Sequence, residues 1–391
     1  MNQKLILLYV ILYSITTNAQ WTNYTKSNSG LVDNSIRTII IDKKGNKWFG
    51  YGASGKKSGV SKFDGKTWTN YTSQNSGLCN DTVYSMAVDL NGVKWFCTDV
   101  GVSSFNDTVW TTYRMTDGLV SNEVKYVAFD SENNKWFGCR SGASKFDGKI
   151  WTNYTNNGLS DGVIAVAIDS KGNKWFTVEY GGVVEFDGTN WINIRYAQIF
   201  TSVAIDSKDN IWFGSYGACK FSNNLWTDYT TTNSNLADNS VSALAFDKQG
   251  TKWIGTFSGV SKFNDTIWTN YNPSNSSLPA YSPVRSIAID SQGTKWIGTE
   301  NGLTVFNNSF LNTADTKAES LQIYLNFANN TLFIKDLIDN AKISIYDLSA
   351  ELLVSKQINC NQIDISNLRS GVYIIKIETS KEIVTRKFIK Q

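Results

Sequence analysis

The sequence predicts an all-β protein: a seven-bladed β-propeller closed by its own N-terminal strand, followed by a small C-terminal β-sandwich. Three observations predict it. First, a block of the form V-x-x-[IV]-A-[IF]-D-x-x-G-x-K-W-[FI]-G, then G-V-S-K-F-D-G, then W-T-N-Y, recurs seven times between residues 21 and 310. Its period is about 35 to 47 residues, the length of a four-stranded propeller blade. Second, apolar residues within each copy alternate with the strand period of two, and no stretch keeps helical spacing. Third, all 14 tryptophans occupy two positions of the repeat. One series is Trp48, Trp95, Trp136, Trp175, Trp212, Trp253 and Trp296. The other is Trp21, Trp68, Trp110, Trp151, Trp191, Trp226 and Trp268.

The first copy sets the pattern of strands a to d. Strand a is read at Ile36–Ile41, with Ile36, Thr38 and Ile40 on one face and Arg37, Ile39 and Ile41 on the other. Asp42-Lys43-Lys44-Gly45 forms a tight turn, Asp at its first position and Gly where φ must be positive. Strand b is expected over 47–51, c over 60–63 and d over 68–71, with Asp64-Gly65 closing the c–d hairpin. Blades diverge outward from the axis, and bulky Trp and Phe fill the wedge between neighbours.

The ends of the repeat array are unequal. A complete strand d, Trp21–Tyr24, precedes any strand a, whereas the last copy has a, b and c followed only by a weak echo at Phe310. The expectation is that Trp21–Tyr24 pairs with Leu303–Phe306 to complete the last blade and remove two exposed edges. The competing arrangement uses 308–312 as the fourth strand.

Composition narrows the function. The net charge of +3 is small for 391 residues and gives no footprint for nucleic acid. Histidine is absent, which removes Ser-His-Asp and Cys-His catalysis and every His-ligated metal site. No metal or cofactor is expected. Lys4, the apolar run Leu5–Tyr13 and the small residues before Ala19 read as a signal peptide cleaved between Ala19 and Gln20. No later apolar run is long enough to span a membrane. The five cysteines, Cys79, Cys97, Cys139, Cys219 and Cys360, are scattered and read as free thiols. The expected organisation is 1–19 signal peptide, 20–312 propeller, 313–320 linker and 321–391 C-terminal module, in a monomer.

The repeat resembles the two-component regulator propeller repeat. Gly30-Leu31-Val32-Asp33-Asn34 carries its lead-in, Asp247 to Gly250 its turn, and Trp253-Ile254-Gly255-Thr256 its strand. Blade five departs, with Tyr196 to Phe200 in place of the lead-in. After a polar stretch, alternation resumes at 331–335, 342–346, 372–377 and 383–389. Ile343-Ser344-Ile345-Tyr346-Asp347-Leu348, Ile363 to Leu368, Gly371-Val372-Tyr373 and Lys387-Phe388-Ile389-Lys390 resemble the C-terminal sorting domain of type IX secretion in Bacteroidetes. That resemblance implies contact with the type IX machinery, passage through the outer membrane, and release or surface attachment.

Candidate site residues come from the copies' disagreements. The a–b and c–d turns barely vary, whereas the b–c loops do, and varied loops on a rigid scaffold are where binding sites are displayed. That set supplies Tyr51, Asp99, Arg140, Glu179, Tyr180, Tyr216, Phe257 and Glu300. A second set stands five residues before each strand-a Asp: Arg37, Tyr84, Lys125, Ile164, Thr201, Ser242 and Arg285. There Arg37 and Arg285 are neighbours, with Lys125 two blades on, an arrangement able to hold an anion. The expected function is a non-catalytic binding or adhesion module for an extracellular glycan, peptide or protein. The alternatives are a purely structural surface protein or a carbohydrate-active enzyme. The enzyme would use carboxylates such as Asp99, Glu179 and Glu300, or Tyr180 as base beside Arg140.

Overall fold

The computed structural model describes residues 20–52, 57–156, 158–159, 161–195, 198–307, 322–326, 331–335, 340–347, 351–358, 362–369, 371–379 and 383–390. The expected leader, the 308–312 alternative strand and Cys360 lie outside them. The chain divides into two compact units, Met1–Leu311 and Asn312–Gln391.

The first unit is a ring of seven antiparallel four-stranded sheets. In six of them the strands follow chain order, a to d. The seventh is shared. Strands Val284–Ile289, Lys295–Thr299 and Gly302–Asn307 supply a, b and c, and Gln20–Tyr24 supplies d. Trp21 pairs with Phe306, Thr22 with Val305, Asn23 with Thr304 and Tyr24 with Leu303, as the repeat count requires. The strands a touch one another around the ring, and Ile36–Ile41 meets Val284–Ile289 to close it.

Each a–b turn is built on one carboxylate. Asp42 Oδ1 accepts from the Lys44 and Asn46 backbone N–H groups at 2.9 Å each, and Oδ2 accepts from Asn46 Nδ2 at 2.7 Å and Trp48 Nε1 at 2.9 Å. The Trp–Asp bond recurs in every blade, at 2.9–3.2 Å. The indole can therefore be buried without leaving its N–H unpaired. Gly45 takes φ +79° in the turn, and Asn133 and Asp209 hold the same region at φ 62° and 60° in blades three and five. Short polar side chains tolerate that conformation.

The two Trp series bind blade to blade. Trp48 stacks on Tyr71 of its own sheet at 5.6 Å and meets Phe96 and Phe105 of the next. The strand-d Trp68 stacks on Phe63 at 4.6 Å. Gly30 lies against it so closely that a Cβ there would come within 2.3 Å of the Trp68 Cβ, which explains the glycine of the lead-in. The leucine that follows is buried in each such blade, and Phe200, fully buried against Phe213 and Trp226, fills that place in blade five. Strand-b lysines add a further link. Lys94 Nζ lies 5.7 Å from the ring of Trp48, and Lys295 Nζ 4.5 Å from that of Trp253, each on the preceding blade.

One orientation read from alternation is corrected. Ile36 and Ile39 do not face opposite ways; both are buried in the same cluster with Phe49, Tyr51, Trp296 and Leu303. The cause is a β-bulge. Pairing runs from Ile36–Tyr51 to Thr38–Gly50, so Arg37 has no partner across the ladder and the side chains beyond it change face.

The second unit is a two-sheet sandwich. Gln322–Asn326, Thr331–Lys335 and Gln362–Asp364 form one sheet, and Leu352–Ile358, Ala341–Tyr346, Gly371–Glu378 and Ile383–Lys390 form the other. Leu332, Ile334 and Ile363 from the first pack with Ile343, Ile345, Ile375 and Ile377 from the second. Alternation located the strands at 331–335, 341–346, 371–378 and 383–390. It missed those at 322–326, 352–358 and 362–364, whose signals are shorter or more polar.

Candidate ligand-binding face and channel mouth

The same bulge recurs in blades one, two, three, four, six and seven, at Arg37, Tyr84, Lys125, Ile164, Ser242 and Arg285. In blade five the backbone N–H of Thr201 donates to the Gly214 carbonyl at 2.8 Å while Ser202 pairs with Gly214, so two residues again oppose one. A bulge re-aims the extra side chain. Here it sends all seven into the wall of one cavity on the ring axis, of about 590 Å³, which also takes in Glu300. The side chains five before each Asp therefore share a cavity because they share a backbone irregularity.

Charge around that cavity is unevenly spread. Arg285 Nε donates to Glu300 Oε1 at 3.1 Å. Lys125 pairs with Glu123, which also accepts from Arg140 at 3.0 Å. Arg37 has no carboxylate partner among the described residues: its Nη1 donates to the Gly52 carbonyl at 3.3 Å, and its guanidinium lies 4.5 Å from the Tyr84 ring centre. The Lys125 ammonium lies 4.0 Å from the centre of the same ring. Burial pulls the Arg37 pKa down; the nearby Tyr84 opposes this, and the like charge of Arg285 adds to it.

Blades five and six line the cavity with hydroxyls. Thr201 Oγ1 donates to Val241 O at 2.9 Å. Ser242 donates to Val284 O. Ser202 Oγ is buried with no partner.

The remaining candidates stand outside the cavity lining. Tyr180, Tyr216 and Phe257 project from blades four, five and six, 71, 74 and 54 % exposed. Tyr281, which repeat comparison did not single out, lies on the connection into blade seven and is 93 % exposed. Glu179 is exposed, and its negative charge, after that of Glu123, holds the Arg140 pKa up. Asp99 is half-buried, one carboxylate oxygen lacking a partner. Tyr51 is a correction: it is 1 % exposed, its hydroxyl donates to Ser61 Oγ at 2.8 Å, and burial pushes its pKa up. As the last residue of a strand b its side chain turns into the core, out of reach of a ligand. Glu123 was missed because only the fifth position before the Asp was compared; the acid two residues earlier was the available signal.

Among the described residues no group of three or more His, Cys, Asp or Glu is placed to hold a metal. Cys79, Cys97, Cys139 and Cys219 are free thiols. No described helix is long and apolar enough to cross a membrane.

Residues 322–391 match the family described as the secretion system C-terminal sorting domain, over the span of the two-sheet sandwich. The C-terminal unit is a secretion system C-terminal sorting domain. A sorting domain of this kind supports export by the type IX route, to the cell surface or beyond it.

Solved structures with the same fold bear on the rest. The chain is similar to the extracellular domain of the hybrid two component system BT3049 of B. thetaiotaomicron, with TM-score 0.64 and 18 % identity over 94 % of this chain and 57 % of that one. PorZ, a surface component of the type-IX secretion system of Porphyromonas gingivalis, gives TM-score 0.65 and 18 % identity over 95 % of this chain and 60 % of PorZ. The chain thus spans less than two thirds of either. Virginiamycin B lyase of Staphylococcus aureus gives TM-score 0.62 and 13 % identity over 74 % of this chain and 98 % of the lyase. At these identities the likeness is one of fold. No curated protein sequence matches the chain.

Proposed function

We propose that the chain is an exported binding module whose propeller presents a ligand site on its b–c face, with the sorting domain serving its passage out of the cell. The observation that carries this reading is the contrast between the two faces. On one, every a–b turn repeats the same Asp–Trp bond. On the other, Tyr180, Tyr216, Phe257 and Tyr281 stand exposed around an open cavity, with no partner ring among the described aromatic pairs. Exposed large aromatic side chains grouped on one face of a rigid scaffold favour an interaction surface.

Catalysis has less support. Tyr180 and Arg140 stand in open solvent, 71 and 73 % exposed, where no wall excludes water from a developing charge. The test is binding of the purified chain to an immobilised panel of extracellular polysaccharides and surface proteins, with product release measured in parallel. Retention of a ligand that Tyr216→Ala and Phe257→Ala both weaken supports the reading; turnover of any panel member overturns it in favour of an enzyme.

A further inference from the structure

We infer that the channel mouth holds the negatively charged end of an acidic saccharide, its carboxylate against Arg37 and Arg285 and its sugar ring toward the hydroxyls of blades five and six. This rests on the binding reading above and names the ligand's chemistry.

Arg37 is the centre of the argument. A guanidinium drawn out of bulk water is costly unless something negative meets it. Lys125 and Arg285 each have a carboxylate beside them, in Glu123 and Glu300. Among the described residues Arg37 meets a backbone carbonyl and a π-face, while the like charge of Arg285 acts on it. A cation placed this way by a bulge, in the wall of a cavity open to solvent, is available to pair with an anionic ligand. Tyr84 lies against both Arg37 and Lys125, and all three line the same cavity. The planar donor set of a guanidinium suits a carboxylate.

Hydroxyls in the cavity lining decide between a simple anion and a saccharide. Thr201 and Ser242 bring hydroxyls to the lining from blades five and six, Ser242 beside the strand that carries Arg285. Hydroxyls sharing a cavity with these cations match a molecule that bears both a carboxylate and hydroxyls. Tyr216 and Phe257 project from these same two blades, so a chain leaving the mouth over them meets flat rings against which the C–H faces of further sugars stack.

The test uses the full chain and a short oligogalacturonate, with a neutral oligosaccharide of the same length and an acidic peptide of matched charge as comparison probes. Calorimetry is expected to show the uronate binding at least about tenfold more tightly than the neutral sugar. Arg37→Met is expected to lose at least about tenfold, and Lys208→Ala, a surface lysine in an a–b turn of blade five, less than twofold. If Arg37→Met lowers the unfolding midpoint, Arg285→Gln replaces it, with the same loss expected because Glu300 is then left unopposed. Equal binding of the neutral sugar, tighter binding of the acidic peptide, or indifference to both arginine substitutions overturns the inference. Retention of some other ligand through Tyr216 and Phe257 alone would leave the binding reading standing while this one fails. Absence of any ligand in both experiments defeats both.

Discussion

Replacing Trp21 by Ala tests whether the ring depends on the shared blade. Trp21 is half-buried, 4.4 Å from Phe306 in its own sheet and 5.4 Å from Tyr271 in the preceding blade. Trp268 has the same surroundings one blade earlier, 4.2 Å from Phe263 and 5.7 Å from Tyr229. An indole buries about 150–250 Å², and half of that at roughly 25 cal/mol per Å² comes to about 2–3 kcal/mol. Two aromatic contacts add about 0.5–1.5 kcal/mol each, and residual burial in the unfolded chain removes part of the total. The expected cost is therefore about 3 kcal/mol for Trp21→Ala, and about the same for Trp268→Ala. Urea unfolding of the full chain, followed by circular dichroism and tryptophan fluorescence, measures both. Equality within about 1 kcal/mol is the expected result. A cost below about 0.5 kcal/mol for Trp21→Ala beside a full cost for Trp268→Ala would refute the reasoning, since residues 21–24 would then contribute nothing to closure.

Other outcomes follow from the turns and from the sorting domain. Asp206 accepts from Trp212 Nε1 at 3.0 Å and from two backbone N–H groups, so Asp206→Ala leaves a fully buried indole donor unpaired. We expect a loss of about 2–3 kcal/mol in the same urea assay, with Asp206→Asn intermediate. Burial pushes the Asp42, Asp130 and Asp206 carboxyls up, but their hydrogen bonds outweigh it and hold all three below the ordinary 3.8. Asp64 in a c–d turn is drawn down to about 2 by bonds from Thr67 and Lys66. Groups with lowered folded pKa values stabilise the fold above pH 3.8 and lose that contribution as pH falls through the folded value. The unfolding midpoint should accordingly hold level from pH 7 to 5 and drop between pH 4 and 2; a midpoint rising in that window would contradict the turn geometry. Lys390 Nζ is buried and donates to the carbonyls of Ile365, Ser366 and Leu368 at 2.7, 3.0 and 2.6 Å. Lys390→Met should cost the sorting domain about 2 kcal/mol in calorimetry while leaving the propeller transition in place; a shift in the propeller transition alone would oppose this assignment.

The sequence by itself determined the blade number, the turn chemistry and the shared last blade. Each of these is written in a local pattern repeated seven times, and Trp21–Tyr24 copies the strand-d text in full while 308–312 does not. It also carried the resemblance to a sorting domain, in segments such as Gly371-Val372-Tyr373 and Lys387-Phe388-Ile389-Lys390. The candidate site was legible only as positions. Comparing copies brought out Arg37, Tyr84, Lys125 and Arg285, yet nothing in the text distinguishes a bulged residue from a paired one. The tertiary structure decided that these side chains enter one cavity, because pairing with strand b forces the extra residue out of the ladder. It decided, too, that Tyr51 is a core residue while Tyr281 is bare to solvent. Lastly, it placed acids beside Lys125 and Arg285 but, among the described residues, none beside Arg37. Exposure and charge pairing depend on which segments meet across the ring, and residues 247 positions apart, such as Ile39 and Ser286, become neighbours only when the ring closes.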